Sequence, residues 1–185
     1  TVDRSELVNS IRVNVSNVAA GDSCLIEENC IGGTGDRVLI EFGTSTPNVG
    51  TADFLVGDPD QSDEVEFATC HQHFHYYDYA QYRLYDMSNN LIVTGTKQAF
   101  AVIDITQIED FGVGDRYGDG YQGVSRGWAD IYHRGLACQW IDVTDVPAGQ
   151  YQLEIEVNPV GRIPELTRDN NIERFNVEIP AVDAI

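Results

Sequence analysis

The sequence predicts an all-β protein, a single β-sandwich-like domain with long loops over residues 1–185. Three observations point there. Segments that alternate apolar with polar residues, or that are rich in β-branched and aromatic residues, recur along the chain. Turn-forming clusters of Gly, Asn, Asp and Pro lie between them. No segment sustains the 3.6-residue apolar period of an amphipathic helix.

The predicted strands follow in order. Ile11–Val18 alternates Ile11, Val13 and Val15 with polar residues, and Arg37–Phe42 is dense in branched residues. Gly32-Gly33-Thr34-Gly35 separates these two. Val65–His75 and the Tyr-rich Tyr79–Tyr85 come next, after the turn signal Gly57-Asp58-Pro59-Asp60. Ser88-Asn89-Asn90 precedes Leu91–Thr94, and Ala99–Ile105 follows. Tyr151–Val157 and Ile172–Ile179 both alternate cleanly. Ahead of both, Asp110–Gly127 holds six Gly among eighteen residues and reads as a long loop, of the kind that often carries function.

A chain of 185 residues suits one substantial domain rather than two. At 42% hydrophobic and 22% charged it can fill a core and is not expected to be disordered. No run of 18 apolar residues occurs, so no membrane span is expected, and any secretory signal is expected to be absent or already removed. The net charge of −19 argues against a nucleic-acid partner, because phosphates must be met by Lys and Arg. The same field attracts cations such as amines, and it also suits a saline setting. The eleven basic residues are ten Arg and one Lys, so Lys97 stands alone.

Four cysteines, Cys24, Cys30, Cys70 and Cys138, form no CxxC pair, which argues against a four-Cys zinc site. Two disulfides in an exported protein are expected instead, the other reading being four buried thiols. The strongest chemical signal is Cys70-His71-Gln72-His73-Phe74-His75, with three of the four His at i, i+2 and i+4. On a strand these share a face, and neutral imidazoles bind zinc, copper, iron or nickel. The outer two would stand roughly 13 Å apart along an ideal strand. A common ion therefore requires a bend or bulge there. From residue types alone, zinc and copper(II) suit the three imidazoles equally. The run Tyr76, Tyr77, Tyr79, Tyr82 and Tyr85 reads as aromatic packing, or else as the lining of an amine pocket or radical route.

Taken together, these motifs resemble the lysyl oxidase family. Cys70–His75 is similar to its copper-binding motif. Gly127-Trp128-Ala129-Asp130-Ile131-Tyr132 and Gln139–Gly149 resemble its second signature. Val157-Asn158-Pro159, Pro164-Glu165 and Asn170-Asn171 resemble its C-terminal segment, and Cys24–Cys30 its Cys-flanked Glu-Glu-Asn motif. The likeness runs from about Glu6 onward, and the Gly-Trp-Ala-Asp wording looks closer to prokaryotic members.

The resemblance implies a single lysyl-oxidase-like catalytic domain that is secreted. It implies a copper amine oxidase that converts primary amines, peptidyl lysine or small amines, to aldehydes with O₂, releasing ammonia and hydrogen peroxide. Copper(II) would sit on His71, His73 and His75. A lysine tyrosylquinone would arise from Lys97 and Tyr132, so the lone lysine falls at the family's cofactor position. Asp78 and Asp130 are the candidate catalytic bases, each able instead to orient a ligand His. The pairing Cys24–Cys70 and Cys30–Cys138 is implied, as is a calcium site from Glu6, the Leu7 carbonyl, Glu165, Asn170 and Asn171. Thr167 stands where the family has a further Asp. Thr96 and Ala68 stand where animal members have His. The alternative is an exported metal-binding β-sandwich module without oxidase turnover.

Overall fold

The computed structural model describes residues 2–181; the side chains of Ser23, Thr96, Lys97 and Gln98 lie outside the described set. The chain is all-β apart from two short helices, α1 (Arg4–Ser10) and α2 (Ser23–Glu27). Helices of seven and five residues are too short to show a periodicity in the sequence. Helix α1 starts where the Asp3 carboxylate accepts the Ser5 N–H at 2.8 Å, and it buries Leu7.

The centre of the fold is β6 (His73–Asp86), fourteen residues long. On one edge it pairs first with β5 (Val65–Ala68) and then with β12 (Gly149–Val157). On the other it pairs with β7 (Leu91–Phe100), and β13 (Ile172–Ile179) completes the sheet beyond β12. All these pairs are antiparallel. The sequence expectation of one strand over Val65–His75 is corrected here. That stretch is a hairpin whose turn occupies Thr69–Gln72, and Tyr79–Tyr85 continues its second strand. Leu91–Thr94 and the start of Ala99–Ile105 likewise join through Gly95 into one strand.

A second sheet orders β1 (Arg12–Val18), β2 (Gly35–Glu41) and β11 (Trp140–Asp142). A third places β10 (Trp128–Tyr132) between β3 (Thr44–Pro47) and β8 (Thr106–Gln107), with Asp130 opposite Thr46 and Tyr132 opposite Thr44. β4 (Phe54–Gly57) pairs with β9 (Gln122–Val124). Alternate residues of these sheets meet in one core that includes Phe42, Tyr82, Leu84, Ile141, Leu153 and Ile155, all essentially fully buried. Each such side chain contributes about 1.5–3 kcal/mol by leaving water. Phe42 meets Tyr82 edge-on with ring centroids 4.7 Å apart.

The Gly-rich stretch is not the structureless loop the composition suggests. β9 lies inside it, and two carboxylates tie it down. Asp104 accepts the Ser125 N–H at 2.7 Å and the Arg116 N–H at 2.9 Å. Asp53 accepts from Arg126 N–H, the Tyr117 hydroxyl and the Arg116 guanidinium. Two disulfides, Cys24–Cys70 from within α2 and Cys30–Cys138 from just beyond it, fasten this segment to the β5–β6 turn and to the segment before β11. No helix among the described residues is long and apolar enough to cross a membrane.

Candidate active site

The three clustered histidines lie at the β5–β6 hairpin. His73 and His75 belong to β6, whereas His71 belongs to the turn. The imidazoles therefore do not line up along one strand face. Gln72 takes φ +57° and donates its N–H to the Ala68 carbonyl at 2.8 Å, which folds the chain back. This left-handed residue does the work expected of a bend or bulge. A bulge also follows, where Tyr77, Asp78 and Tyr79 stand between the paired positions Tyr76↔Ala99 and Ala80↔Lys97.

Folding back gathers the donors. One ring nitrogen from each of His71, His73 and His75 falls within 4.8 Å of the others. The Nε2 atoms of His73 and His75 are 2.9 Å apart. That is about the spacing of two nitrogens bound to one ion at ~2 Å and a right angle. His75 is buried and the other two are half-buried. The residues thus fit a transition-metal ion. Glu28, Cys30 and Cys138 also cluster, but both sulfurs are consumed in a disulfide and offer no thiolate. Glu28 itself reaches the histidines, with Oε1 2.9 Å from His71 Nδ1. The sequence reading passed over this residue.

An aromatic sequence leads from the histidines to β10. The His73 ring stacks on Phe100 with centroids 4.7 Å apart, and Phe100 meets Tyr132 edge-on at 5.6 Å. The Tyr132 hydroxyl donates to the Phe100 carbonyl at 3.0 Å. Tyr79 lies against Tyr132 at 5.8 Å and bonds the Thr46 hydroxyl. Burial foremost, and then the charge of Asp130, push both phenols well above their ordinary value.

The two candidate bases differ sharply. Asp130 is 1% exposed and two residues from Tyr132 on β10. Asp78 is exposed in the β6 bulge at φ +49°, and its carboxylate pairs with Arg162 at 3.3 Å. The side chain of Lys97 is outside the described residues. Its main chain lies on β7 opposite Ala80, three residues before Phe100. That separation is about 10 Å of extended strand.

The residues expected at a calcium site come from two segments of the chain. Glu165 accepts from Asn158 and from Asn171 at 2.7 Å, and the buried Asn171 Oδ1 makes no hydrogen bond among the described residues. The Asn170 carbonyl accepts the Val2 N–H, which draws the N-terminal segment toward this turn. The Glu6 carboxylate faces Gly43, and the Leu7 carbonyl accepts the Ile11 N–H at 3.1 Å. Of the tyrosines, Tyr76, Tyr79 and Tyr82 pack in the core, while Tyr77 and Tyr85 lie beneath Arg162 and Arg174.

Comparison with known proteins gives a consistent result. The profile of the family described as lysyl oxidase matches residues 1–182. The protein-lysine 6-oxidase of Gallus gallus is 37% identical over 167 residues, covering 83% of this chain and 39% of the chicken protein. That of Sus scrofa is 36% identical, with 66% of the pig protein covered. Lysyl oxidase homolog 1 of Homo sapiens is 37% identical, with 28% of it covered. The chain thus spans less than two thirds of these relatives. All three are vertebrate proteins, so the prokaryotic likeness finds no support among them.

Proposed function

The chain belongs to the lysyl oxidase family, and from that premise we propose that it is a copper-dependent amine oxidase. It would act on primary amines, peptidyl lysine or small amines, and turn RCH₂NH₂, O₂ and H₂O into RCHO, NH₃ and H₂O₂. The observation that carries this reading is the chain of contacts from the three convergent imidazoles through Phe100 to Tyr132.

His71, His73 and His75 would hold copper(II), and Tyr132 with Lys97 would furnish lysine tyrosylquinone. Copper supplies one-electron chemistry with O₂ and a positive charge favouring a phenolate, while the quinone supplies a two-electron acceptor for the amine. The chain's own residues position and exclude. Phe100 fixes the Tyr132 ring through its carbonyl and separates it from His73 through its ring. Asp130 is the base we assign to the α-proton of the substrate, because it is buried beside Tyr132 whereas Asp78 is exposed and paired with Arg162. The surrounding core keeps water from the ring.

The net charge of −19 would draw cationic amines toward the protein, less so at high salt. Two disulfides suit export to an oxidising compartment. Glu6, the Leu7 carbonyl, Glu165, Asn170 and Asn171 are proposed to bind calcium, which would give the Asn171 Oδ1 a partner. Copper-loaded protein should release peroxide and aldehyde from a primary amine in equal amounts. No turnover across alkyl, aryl and lysyl amines, with copper bound and oxygen present, would refute the oxidase reading.

A further inference from the structure

Glu28 stands at the C-terminal end of α2, between Cys24 and Cys30. Both cysteines are in disulfides, and the Cys24 bond leads to Cys70, the residue before His71. This short crosslinked segment brings the Glu28 carboxylate to the histidine turn. Oε1 lies 2.9 Å from His71 Nδ1 and 4.0 Å from His75 Nε2. The Glu28 side chain is only 19% exposed and the His71 side chain 20%, so water competes weakly for the contact.

We propose that Glu28 is a positioning residue for the metal centre: it accepts the Nδ1–H of His71 and so presents Nε2 as that histidine's donor. This proposal rests on the reading of the three histidines as metal ligands. The reasoning is elementary. A neutral imidazole has one N–H and one lone pair, and the partner of the first decides which nitrogen offers the second. Free imidazole side chains prefer the proton on Nε2, which would block the nitrogen farther from the backbone. A carboxylate at Nδ1 reverses that preference, holds the ring and raises the basicity of the donor. His71 needs such a device more than His73 and His75, because it lies on a turn outside the ladder that fixes the other two.

The test has two arms. The first uses metal-free protein held above the ordinary imidazole range and reads the side-chain ¹⁵N shifts of His71. Nδ1–H in the wild type, lost in Glu28→Ala and kept in Glu28→Gln, supports the proposal; Nε2–H in the wild type overturns it. The second arm reads copper(II) affinity by competition with a chelator. Glu28→Ala should weaken binding by about 10–100-fold, and Glu28→Gln by less, since its amide oxygen still accepts the N–H. Equal large losses in both variants would mark Glu28 as a direct ligand and overturn the positioning role, as would no loss in either. Wild-type protein that binds no copper would refute the metal reading, while the first arm still decides the Glu28–His71 hydrogen bond.

Discussion

The Tyr132 hydroxyl donates to the main-chain carbonyl of Phe100 at 3.0 Å. This bond joins β10 to the end of β7, the strand that also carries Lys97. The proposed quinone precursor is thereby held against a residue whose ring stacks on His73, one of the proposed metal ligands. Tyr132→Phe keeps the ring but removes the donor. It should abolish amine oxidation, leave copper affinity within a few-fold, and cost about 0.5–1.5 kcal/mol for the lost hydrogen bond. Peroxide release, chelator competition and urea unfolding read these three outcomes.

The two acidic candidates should separate in kinetics. Asp130→Asn is expected to lower kcat by about 10²–10⁴-fold with copper still bound. Asp78→Asn should change kcat far less, because the carboxylate is engaged with Arg162. Steady-state kinetics on copper-loaded variants check this, and the reverse order would move the base to Asp78.

Replacing any one of His71, His73 or His75 by Ala should weaken copper binding by more than the ~10–100-fold carried by outer-shell partners. Chelation of the wild type should likewise stop turnover, with copper restoring it. Isothermal titration measures the first effect and a peroxide assay the second.

Stability should fall in acid, partly through Asp142. Burial alone would raise this carboxyl, but hydrogen bonds from the Gly32 N–H, Thr144 and Arg37 outweigh it and hold it below its ordinary 3.8. A carboxyl depressed in the folded state adds stability above its unfolded value, and that stability disappears as pH falls through the folded value. Asp142→Asn should therefore cost about 1–3 kcal/mol at neutral pH. Its deficit should shrink at pH values well below 3.8. Urea unfolding across that range measures the difference.

Removing a crosslink should be costly. The bonds close separations of 46 and 108 residues, and loss of either by paired Cys→Ser substitution should cost about 2–5 kcal/mol. Loss of Cys24–Cys70 should also weaken copper binding, since that bond holds α2 and Glu28 at the histidine turn. Unfolding and chelator competition on the same protein separate the two effects.

β12 and β13 were legible because nine and eight residues repeat the alternation several times, whereas β6 and β7 were each read as two separate segments. β3, β4, β8, β9, β10 and β11 have two to five residues each, too few to establish a period. Their pairings are also non-local: β10 finds β3, some 80 residues earlier in sequence, and no local pattern encodes that. The hairpin at the histidines was hidden for another reason. Its left-handed residue is Gln72, not the Gly or Asn that announces such turns. The histidine cluster itself could be read directly, because three of only four His fall within five residues. Lys97 stood out as the single lysine, but its pairing with Tyr132 emerged only through family resemblance, since a separation of 35 positions carries no chemical signal of its own. Glu28 required coordinates, because two disulfides bring it to His71.

The central claim is that this chain makes its own redox group from Lys97 and Tyr132. Peptide mapping by mass spectrometry of protein matured with copper and oxygen tests it most directly. A single crosslinked peptide containing both residues, redox-active and absent from Tyr132→Phe, is the predicted result. Two separate, unmodified peptides from fully copper-loaded protein would contradict it.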